Sequence, residues 1–274
     1  MHQDQANSQI SSLISQWVSD GKPKQPGCVW PQAKWVAAFP EHAKLFADAP
    51  QLLTRDFVGE KAQHSIKTGD PLSAFLISMA WGYGMTGYGR YRTNKVIKNA
   101  GFIEVLRKSG ELAMSGDPVS AFNVFEIAKP AGIKVAFATK YLYFASRELS
   151  REALILDSIL VKYLKASTGY KYKLMQFRSD DYAHYLDFME TQAKANKISA
   201  GNLEEAIFYS LNQDHQQLVG QLKEVDRQQL VGQLKEVDRQ QPVEQLDQMD
   251  QHQTITTQLE PTLLQMKKRN HPIY

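Results

Sequence analysis

The sequence predicts an all-α protein, because it is rich in helix-start signals and poor in strand signals. Asp70-Pro71 and Asp117-Pro118 each place a capping carboxylate before a proline, the combination favoured at the first position of a helix. Apolar residues then recur at spacings of three and four, as they do on one face of a helix. The alternating apolar and polar runs typical of strands are sparse.

The predicted helices follow one another along the first part of the chain. Two begin at Pro71 and Pro118, and their starts are near copies, GDPLSAF at 69–75 and GDPVSAF at 116–122. Amphipathic runs predict further helices at 10–18, 93–97, 101–112, 135–146, 158–164, 180–195 and 203–209. We therefore predict a helical domain over residues 1-212.

The C-terminal region, 213-274, differs from this domain in composition. Its segment QQLVGQLKEVDR at 216–227 recurs unchanged at 228–239. Twelve residues at about 100° each rotate the apolar stripe by roughly 120° per copy, which argues against a long regular coiled coil. Glycines and a proline interrupt the region. It is predicted to be a Gln-rich, low-complexity tail that is partly helical or disordered, dispensable for chemistry and available to a protein partner.

Composition excludes several classes of protein. Hydrophobic residues make up 43% and charged residues 22% of the 274, which excludes a wholly disordered or collagen-like chain. The single cysteine, Cys28, cannot form an internal disulfide, and the seven histidines lack the spacing of metal ligands. No apolar run reaches the roughly 18 residues of a membrane span, and the start lacks a secretory pattern. We expect a cytoplasmic protein with no membrane segment, metal or cofactor.

The basic side chains are concentrated in the predicted domain. Residues 129–178 carry ten Lys or Arg against three acidic residues, interleaved with tyrosines. Such a block suits a polyanion such as a nucleic acid. It is also the pattern of solvated charges on ordinary amphipathic helices, which is the interpretation that the composition alone favours.

A glycine-rich segment, WGYGMTGYGRYRT, occupies residues 81–93. It matches the dinucleotide fingerprint GxGxxG in form only, because a helix beginning at Pro71 precedes it where the fingerprint needs a strand. We predict a loop whose aromatic side chains stack on bases and whose arginines pair with phosphates. The alternative is an irregular connection with buried aromatics. The candidate nucleic-acid contacts are Gly87, Gly89, Arg90 and Arg92.

A second candidate lies between two predicted helices, where KPAGI at 129–133 breaks the pattern. The helix that follows at 135 offers free backbone N–H groups to a phosphate. Gly132 and Lys134 are the candidate contacts. The alternative is a commonplace helix-to-helix connection.

Three segments together carry a family resemblance: AWGYGMTGYGRYRT at 80–93, GIKVAFATKYLYFAS at 132–146 and ALILDSILVKYL at 153–164. Over roughly residues 25–212 the chain resembles the bacterial 8-oxoguanine DNA glycosylase OGG-fold proteins, relatives of the helix-hairpin-helix base-excision glycosylases. Members are often encoded near anti-phage defence genes. The resemblance implies an all-α, helix-hairpin-helix DNA-glycosylase-like domain that handles DNA or a modified nucleotide.

The resemblance also implies a catalytic pair, Lys140 and Asp157. In such an enzyme a neutral lysine amine attacks C1′ of the nucleotide, and the aspartate stabilises the positive charge that develops on the sugar. Two other interpretations remain open: the stem of Lys140 covers apolar surface, and Asp157 caps the helix that follows it. Trp81, Tyr83 and Phe137 are the candidate lining of a base pocket.

The sequence departs from the family pattern at the hairpin. Lys134 stands where the usual hairpin has its second glycine, and Lys140 follows the hairpin by about two helical turns where the known nucleophile follows by about one. Lys134 is therefore a rival nucleophile.

The function expected from the sequence is a DNA N-glycosylase, with or without lyase activity, that acts on an oxidised or modified purine in repair or anti-phage defence. Two alternatives remain open. One is a non-catalytic DNA- or nucleotide-binding component of a defence system, and the other is an adaptor that binds a protein through the repeated tail.

Overall fold

The computed structural model describes residues 2–211, with side chains from residue 8, and the predicted tail lies outside the described residues. The helices are α1 (His2–Ser19), α2 (Gln32–Ala38), α3 (Ala43–Ala47), α4 (Arg55–Lys67), α5 (Pro71–Tyr83), α6 (Gly89–Ile97), α7 (Phe102–Met114), α8 (Pro118–Ala128), α9 (Val135–Ser146), α10 (Ser158–Thr168), α11 (Ser179–Ala195) and α12 (200–211). A 3-10 turn, Pro40–His42, precedes α3. Two antiparallel two-residue strands, β1 (Cys28–Val29) and β2 (Leu52–Leu53), complete the described part. The all-α prediction is confirmed.

Both proline-initiated helices begin where the sequence predicts. The carboxylate of Asp70 accepts a hydrogen bond from the backbone N–H of Ser73 at 3.0 Å, and Asp117 accepts one from Ser120 at the same distance. The caps satisfy backbone donors that lack a partner within the helix. The near-identical sequences therefore form the same local structure twice.

Helix α9 lies at the centre of the domain, in contact with α4, α5, α7 and α8. Every residue from Ala138 to Ser146 is buried, and α5 is buried from Ser73 to Trp81. Helices buried on all sides carry apolar residues around their whole circumference, as these two largely do. Lys140 lies within the buried part of α9, where a charged side chain needs a partner.

The short helices α2 and α3 were not predicted, and two further differences concern α4 and α6. Helix α4 was not predicted, because its buried face includes Arg55 and Ser65 and so lacks a continuous apolar stripe. Helix α6 begins at Gly89, before the predicted start at residue 93, so Gly89, Arg90 and Arg92 are helical although the sequence predicts a loop there. Gly89, which signals a loop in the sequence, is required by packing, because a Cβ at this position would collide with the side chain of Tyr83. The loop between α5 and α6 consists of residues 84–88.

Within residues 2–211, no helix is both long enough and apolar enough to cross a membrane.

Candidate functional site

A cavity of about 270 Å³ opens beside the central helix. Its volume is slightly below the roughly 300 Å³ at which small-molecule pockets begin, so it suits a group about the size of one base. The residues that line it come from α4, α5, α9, α12, β1 and three connecting segments. They include Gln25, Arg55, Trp81, Lys140, Asp157 and Glu204.

Lys140 and Asp157 form an ion pair in the wall of this cavity. Lys140 Nζ donates to Asp157 Oδ2 at 3.0 Å, and the two side chains are 11% and 16% exposed. Asp157 Oδ1 also accepts the backbone N–H groups of Ile159 and Leu160, at 3.1 and 3.3 Å, which caps α10. Asp157 is therefore both a helix cap and the partner of Lys140.

The ion pair and the cap determine the charge of Asp157. Burial acts to raise the pKa of this carboxyl, but Lys140 and the two backbone N–H groups act in the opposite direction. The resulting pKa is lower than that of an ordinary aspartate. Asp157 is thus a carboxylate at neutral pH, although it is largely buried.

A glycine on α5 makes room for the stem of Lys140. A Cβ added to Gly82 would lie 3.1 Å from Lys140 Cδ and 3.4 Å from Phe137 Cε1. Contacts of 3.0–3.4 Å are tighter than ordinary van der Waals packing, so a larger residue would push against the stem. The stem covers apolar surface, as one of the open interpretations holds, while Nζ reaches the cavity.

The three aromatic residues of the predicted base pocket occupy different positions. Trp81 and Tyr83 line the cavity, whereas Phe137 stacks on Tyr83, with ring centroids 4.3 Å apart, and lies outside the lining. The ring of Trp81 packs edge-to-face against Phe144 at 5.0 Å. Trp81 Nε1 is buried and has no hydrogen-bond partner within the described part of the chain. A buried donor left unpaired costs about 1–3 kcal/mol, and the residue that carries it lines the cavity.

Sequence reasoning missed a second ion pair at the same cavity. Arg55 of α4 contacts Glu204 of α12 through two hydrogen bonds, Nη1 to Oε2 at 2.5 Å and Nη2 to Oε1 at 3.2 Å. The side chains are 4% and 1% exposed. Burial acts to lower the pKa of Arg55, but attraction to Glu204 and Tyr143 raises it. Burial in turn raises the pKa of Glu204. The bidentate contact between the guanidinium and the carboxylate favours the state in which both side chains are charged.

Arg55 also joins several elements around the floor of the cavity. Its Nε donates to Gln25 Oε1 at 2.8 Å, and its Nη1 donates to Tyr143 Oη at 3.1 Å. The guanidinium lies 5.5 Å from the Trp81 ring centroid. One sequence signal points to this arrangement, because LEEAI at 203–207 places two acidic residues within a short apolar run.

The two candidate lysines lie in different places. Lys134 is exposed at the N-cap of α9, and together with Gly132 it lines a separate cleft between the 129–134 turn and residues 175–178. Gly132 adopts a φ of +88°, a conformation that favours glycine. Lys140, six residues further along α9, lines the cavity with Asp157.

The remaining predicted contacts surround the 84–88 loop. Gly87 is exposed within the loop, and Gly89 packs against Tyr83 at the start of α6. Arg92 places its guanidinium over the Tyr88 ring at 4.4 Å, close to the cavity. Arg90 lines a groove on another face of α6. The structure thus brings Tyr83, Gly89 and Arg92 together and separates Arg90 from them.

No group of three or more His, Cys, Asp or Glu side chains able to hold a metal ion occurs within residues 2–211. Cys28 lines the cavity, and burial raises the pKa of its thiol. The chemical groups that the cavity offers are an amine, carboxylates, an unpaired indole N–H and aromatic faces.

Comparison with known proteins gives one match. No curated protein matches the chain, and no solved structure does so either. A family model matches residues 21–208, which is more than half of the chain and includes the whole cavity lining. That family is described as 8-oxoguanine DNA glycosylase OGG-like protein, and the chain belongs to it.

Proposed function

We propose that this protein is a DNA N-glycosylase that removes an oxidised or modified purine, in DNA repair or anti-phage defence. The observation that carries the proposal is the Lys140–Asp157 pair, 3.0 Å apart in the wall of a cavity about the size of one base. Family membership supports the reaction class. A glycosylase must extrude one nucleotide from the DNA duplex, and we propose that this cavity receives its base.

The pair supplies the two groups that cleavage of an N-glycosidic bond needs. As the bond between C1′ and the base breaks, its electron pair leaves with the base and positive charge develops on the sugar. The Asp157 carboxylate stabilises that charge. Transfer of a proton from Lys140 to the departing base leaves a neutral amine, which attacks C1′ and forms the covalent intermediate of a lyase reaction.

The unpaired Trp81 Nε1 supports recognition of a base that presents an acceptor. A carbonyl oxygen on an oxidised purine would accept this N–H and remove the cost of leaving it unpaired. The face of Tyr83, held by its stacking on Phe137, offers a surface for the flat base. These residues are proposed to select the base, whereas Lys140 and Asp157 are proposed to act on the sugar.

The backbone of the DNA is proposed to be held outside the cavity. The exposed Gly132 and Lys134 suit one phosphate, because they line the same cleft at the start of α9, where the first backbone N–H groups of the helix lack partners. Arg92 and Gly87, beside the loop at the cavity mouth, suit phosphates that flank the extruded nucleotide.

One observation favours a non-catalytic DNA-binding protein as the second candidate. Lys140 donates to a carboxylate in the resting structure, and a lysine is a nucleophile only after it has lost a proton. In that case the pair would hold the base pocket together without turnover.

Trapping with borohydride distinguishes the two candidates. A lysine that attacks C1′ forms an imine with the opened sugar, and borohydride reduces this imine to a permanent crosslink between protein and DNA. With duplexes carrying different oxidised purines, we expect wild-type protein to form the crosslink on at least one and Lys140→Gln to form none. Asp157→Asn should slow trapping by on the order of 100-fold, since one charge-stabilising group is lost.

Lys134→Gln is the matched control, because it removes the rival lysine at the turn. It should weaken DNA binding and still trap when DNA is saturating. Loss of trapping in this variant alone would move the nucleophile to Lys134. If wild-type protein binds each duplex and traps none, the non-catalytic candidate replaces the lyase.

A further inference from the structure

Helix α6 carries a basic groove that is separate from both the cavity and the 129–134 turn. The groove is lined by Ala38, Arg90, Tyr91, Asn94, Lys95 and Lys98, a set with three cations and no carboxylate. Lys95 and Lys98 are exposed, and Tyr91 is 71% exposed. We call this surface the α6 groove.

Three cations lie together in the α6 groove without a carboxylate to pair with among the described residues. Arg107 of α7, for comparison, pairs with Glu104 and Glu111 on its own helix. None of the three groove cations has an ion-pair partner within residues 8–211. The sequence of α6, GRYRTNKVI, contains no acidic residue that would neutralise them. The groove is therefore a concentrated and uncompensated positive surface.

Arg90 adds a more specific observation. Its Nη1 is buried and has no hydrogen-bond partner among the described residues. A buried guanidinium N–H without a partner is costly, and Arg presents its donors in a fork that matches phosphate oxygens. Arg90 lines the groove, and a rotamer change of this side chain would bring the donor to an oxyanion bound there.

The position of α6 identifies the kind of oxyanion. At its start, Gly89 packs against Tyr83, which lines the cavity. Just after its end, Asn99 Nδ2 donates to the carbonyl of Ala131 in the 129–134 turn at 2.7 Å. A helix of nine residues is about 13 Å long, which equals the rise of about four nucleotides along one DNA strand. The helix that carries the α6 groove thus begins beside the cavity and ends beside the turn, and its length matches a short stretch of DNA backbone.

We propose that the α6 groove binds the phosphate backbone of DNA between the nucleotide in the cavity and the phosphate at the turn. Arg90 contacts a phosphate through its unpaired N–H group, and Lys95 and Lys98 contact the next ones along the strand. The inference rests on the proposed function in taking DNA as the ligand. It adds a third backbone contact region, which fixes the register of the strand relative to the cavity.

Charge reversal at the two exposed lysines tests the proposal. Binding of a fluorescent, lesion-free duplex is measured by anisotropy at several salt concentrations. We expect Lys95→Glu/Lys98→Glu to weaken binding by about 10- to 100-fold at low salt, and to reduce the slope of log K against log salt by about two, as expected when two phosphate contacts are lost. The matched control is Lys67→Glu/Lys194→Glu, the same charge change at two exposed lysines. Neither lines the cavity, the cleft at the 129–134 turn or the α6 groove. This control should lose much less affinity.

A third variant separates failure of this inference from failure of the proposed function. Lys134→Glu tests DNA binding at the turn. If Lys134→Glu weakens binding while Lys95→Glu/Lys98→Glu binds as the control does, the α6 groove is not a DNA site although the protein binds DNA. If wild-type protein binds no duplex at low salt, the proposed function and the groove proposal are both wrong. Lesion-free DNA makes these outcomes independent of whether any base is removed.

Discussion

Two ion pairs border the same cavity, and they differ in how fully their hydrogen-bonding groups are used. Arg55 and Glu204 are 4% and 1% exposed and contact each other through two bonds. Lys140 and Asp157 are 11% and 16% exposed and share one bond. An ammonium has three N–H donors, and a single donor of Lys140 is engaged with Asp157. The first pair is suited to holding the cavity together, and the second retains donors for a ligand.

The largest expected effect comes from removing one charge of the fully buried pair. Arg55→Met should reduce the free energy of unfolding by about 3–5 kcal/mol, because it leaves the Glu204 carboxylate buried without its partner. Lys140→Met should cost only about 1–2 kcal/mol, since Asp157 keeps its two backbone N–H partners. Urea denaturation of the two variants measures the difference.

A double substitution sharpens this comparison. Arg55→Met/Glu204→Leu removes both charges, so it should recover a large part of the stability lost in Arg55→Met. Recovery would show that the cost arises from the uncompensated carboxylate. Equal losses in Arg55→Met and Lys140→Met would contradict the structural distinction between the two pairs.

The next effect is smaller and depends on pH. Because the pKa of Asp157 is lower in the folded protein than in the unfolded chain, its contribution to stability is fully present above about pH 4. That contribution is lost as pH falls through the folded pKa. Asp157→Asn keeps a capping side chain and loses the ion pair, so it should be less stable than wild type by about 1–2 kcal/mol at pH 7 and equal to it in strong acid.

Asp157→Ala is the control for this measurement. It loses the cap as well as the charge, so it should be about 1 kcal/mol less stable than Asp157→Asn at every pH at which both fold. Denaturation curves recorded from pH 3 to 7 separate the two contributions. A wild-type advantage over Asp157→Asn that stayed constant with pH would show that the charge of Asp157 does not stabilise the fold.

The two pairs also differ in how far the sequence reveals them. Lys140 and Asp157 are 17 positions apart, and the family resemblance points to both of them. Arg55 and Glu204 are 149 positions apart, and no local pattern connects them. The starts of α5 and α8 were predicted because each has a side-chain cap, at Asp70 and Asp117, and a cap is a local feature of the sequence. Helix α4 was missed because Gly59 and Ser65 on its buried face, with Arg55 at its first position, weaken the apolar spacing that defines a helix in sequence.

The smallest expected effect comes from removing the residues after Leu211, and a shorter chain that also loses Glu204 provides the contrast. Glu204 lies in α12, the last helix that the structure describes. The sequence beyond residue 212 is polar, repetitive and interrupted by glycine and proline. A chain ending after Leu211 should therefore unfold cooperatively, with a free energy of unfolding within about 0.5 kcal/mol of that of the full chain.

A chain ending after Ser199 loses Glu204 and the wall of the cavity formed by Phe208, and it should melt at a much lower temperature or fail to fold. Thermal melting of both chains, followed by circular dichroism, measures the contrast. A large loss of cooperativity in the chain ending after Leu211 would show that the domain needs residues of the repeated region, and that the Arg55–Glu204 pair alone does not complete the C-terminal side of the cavity.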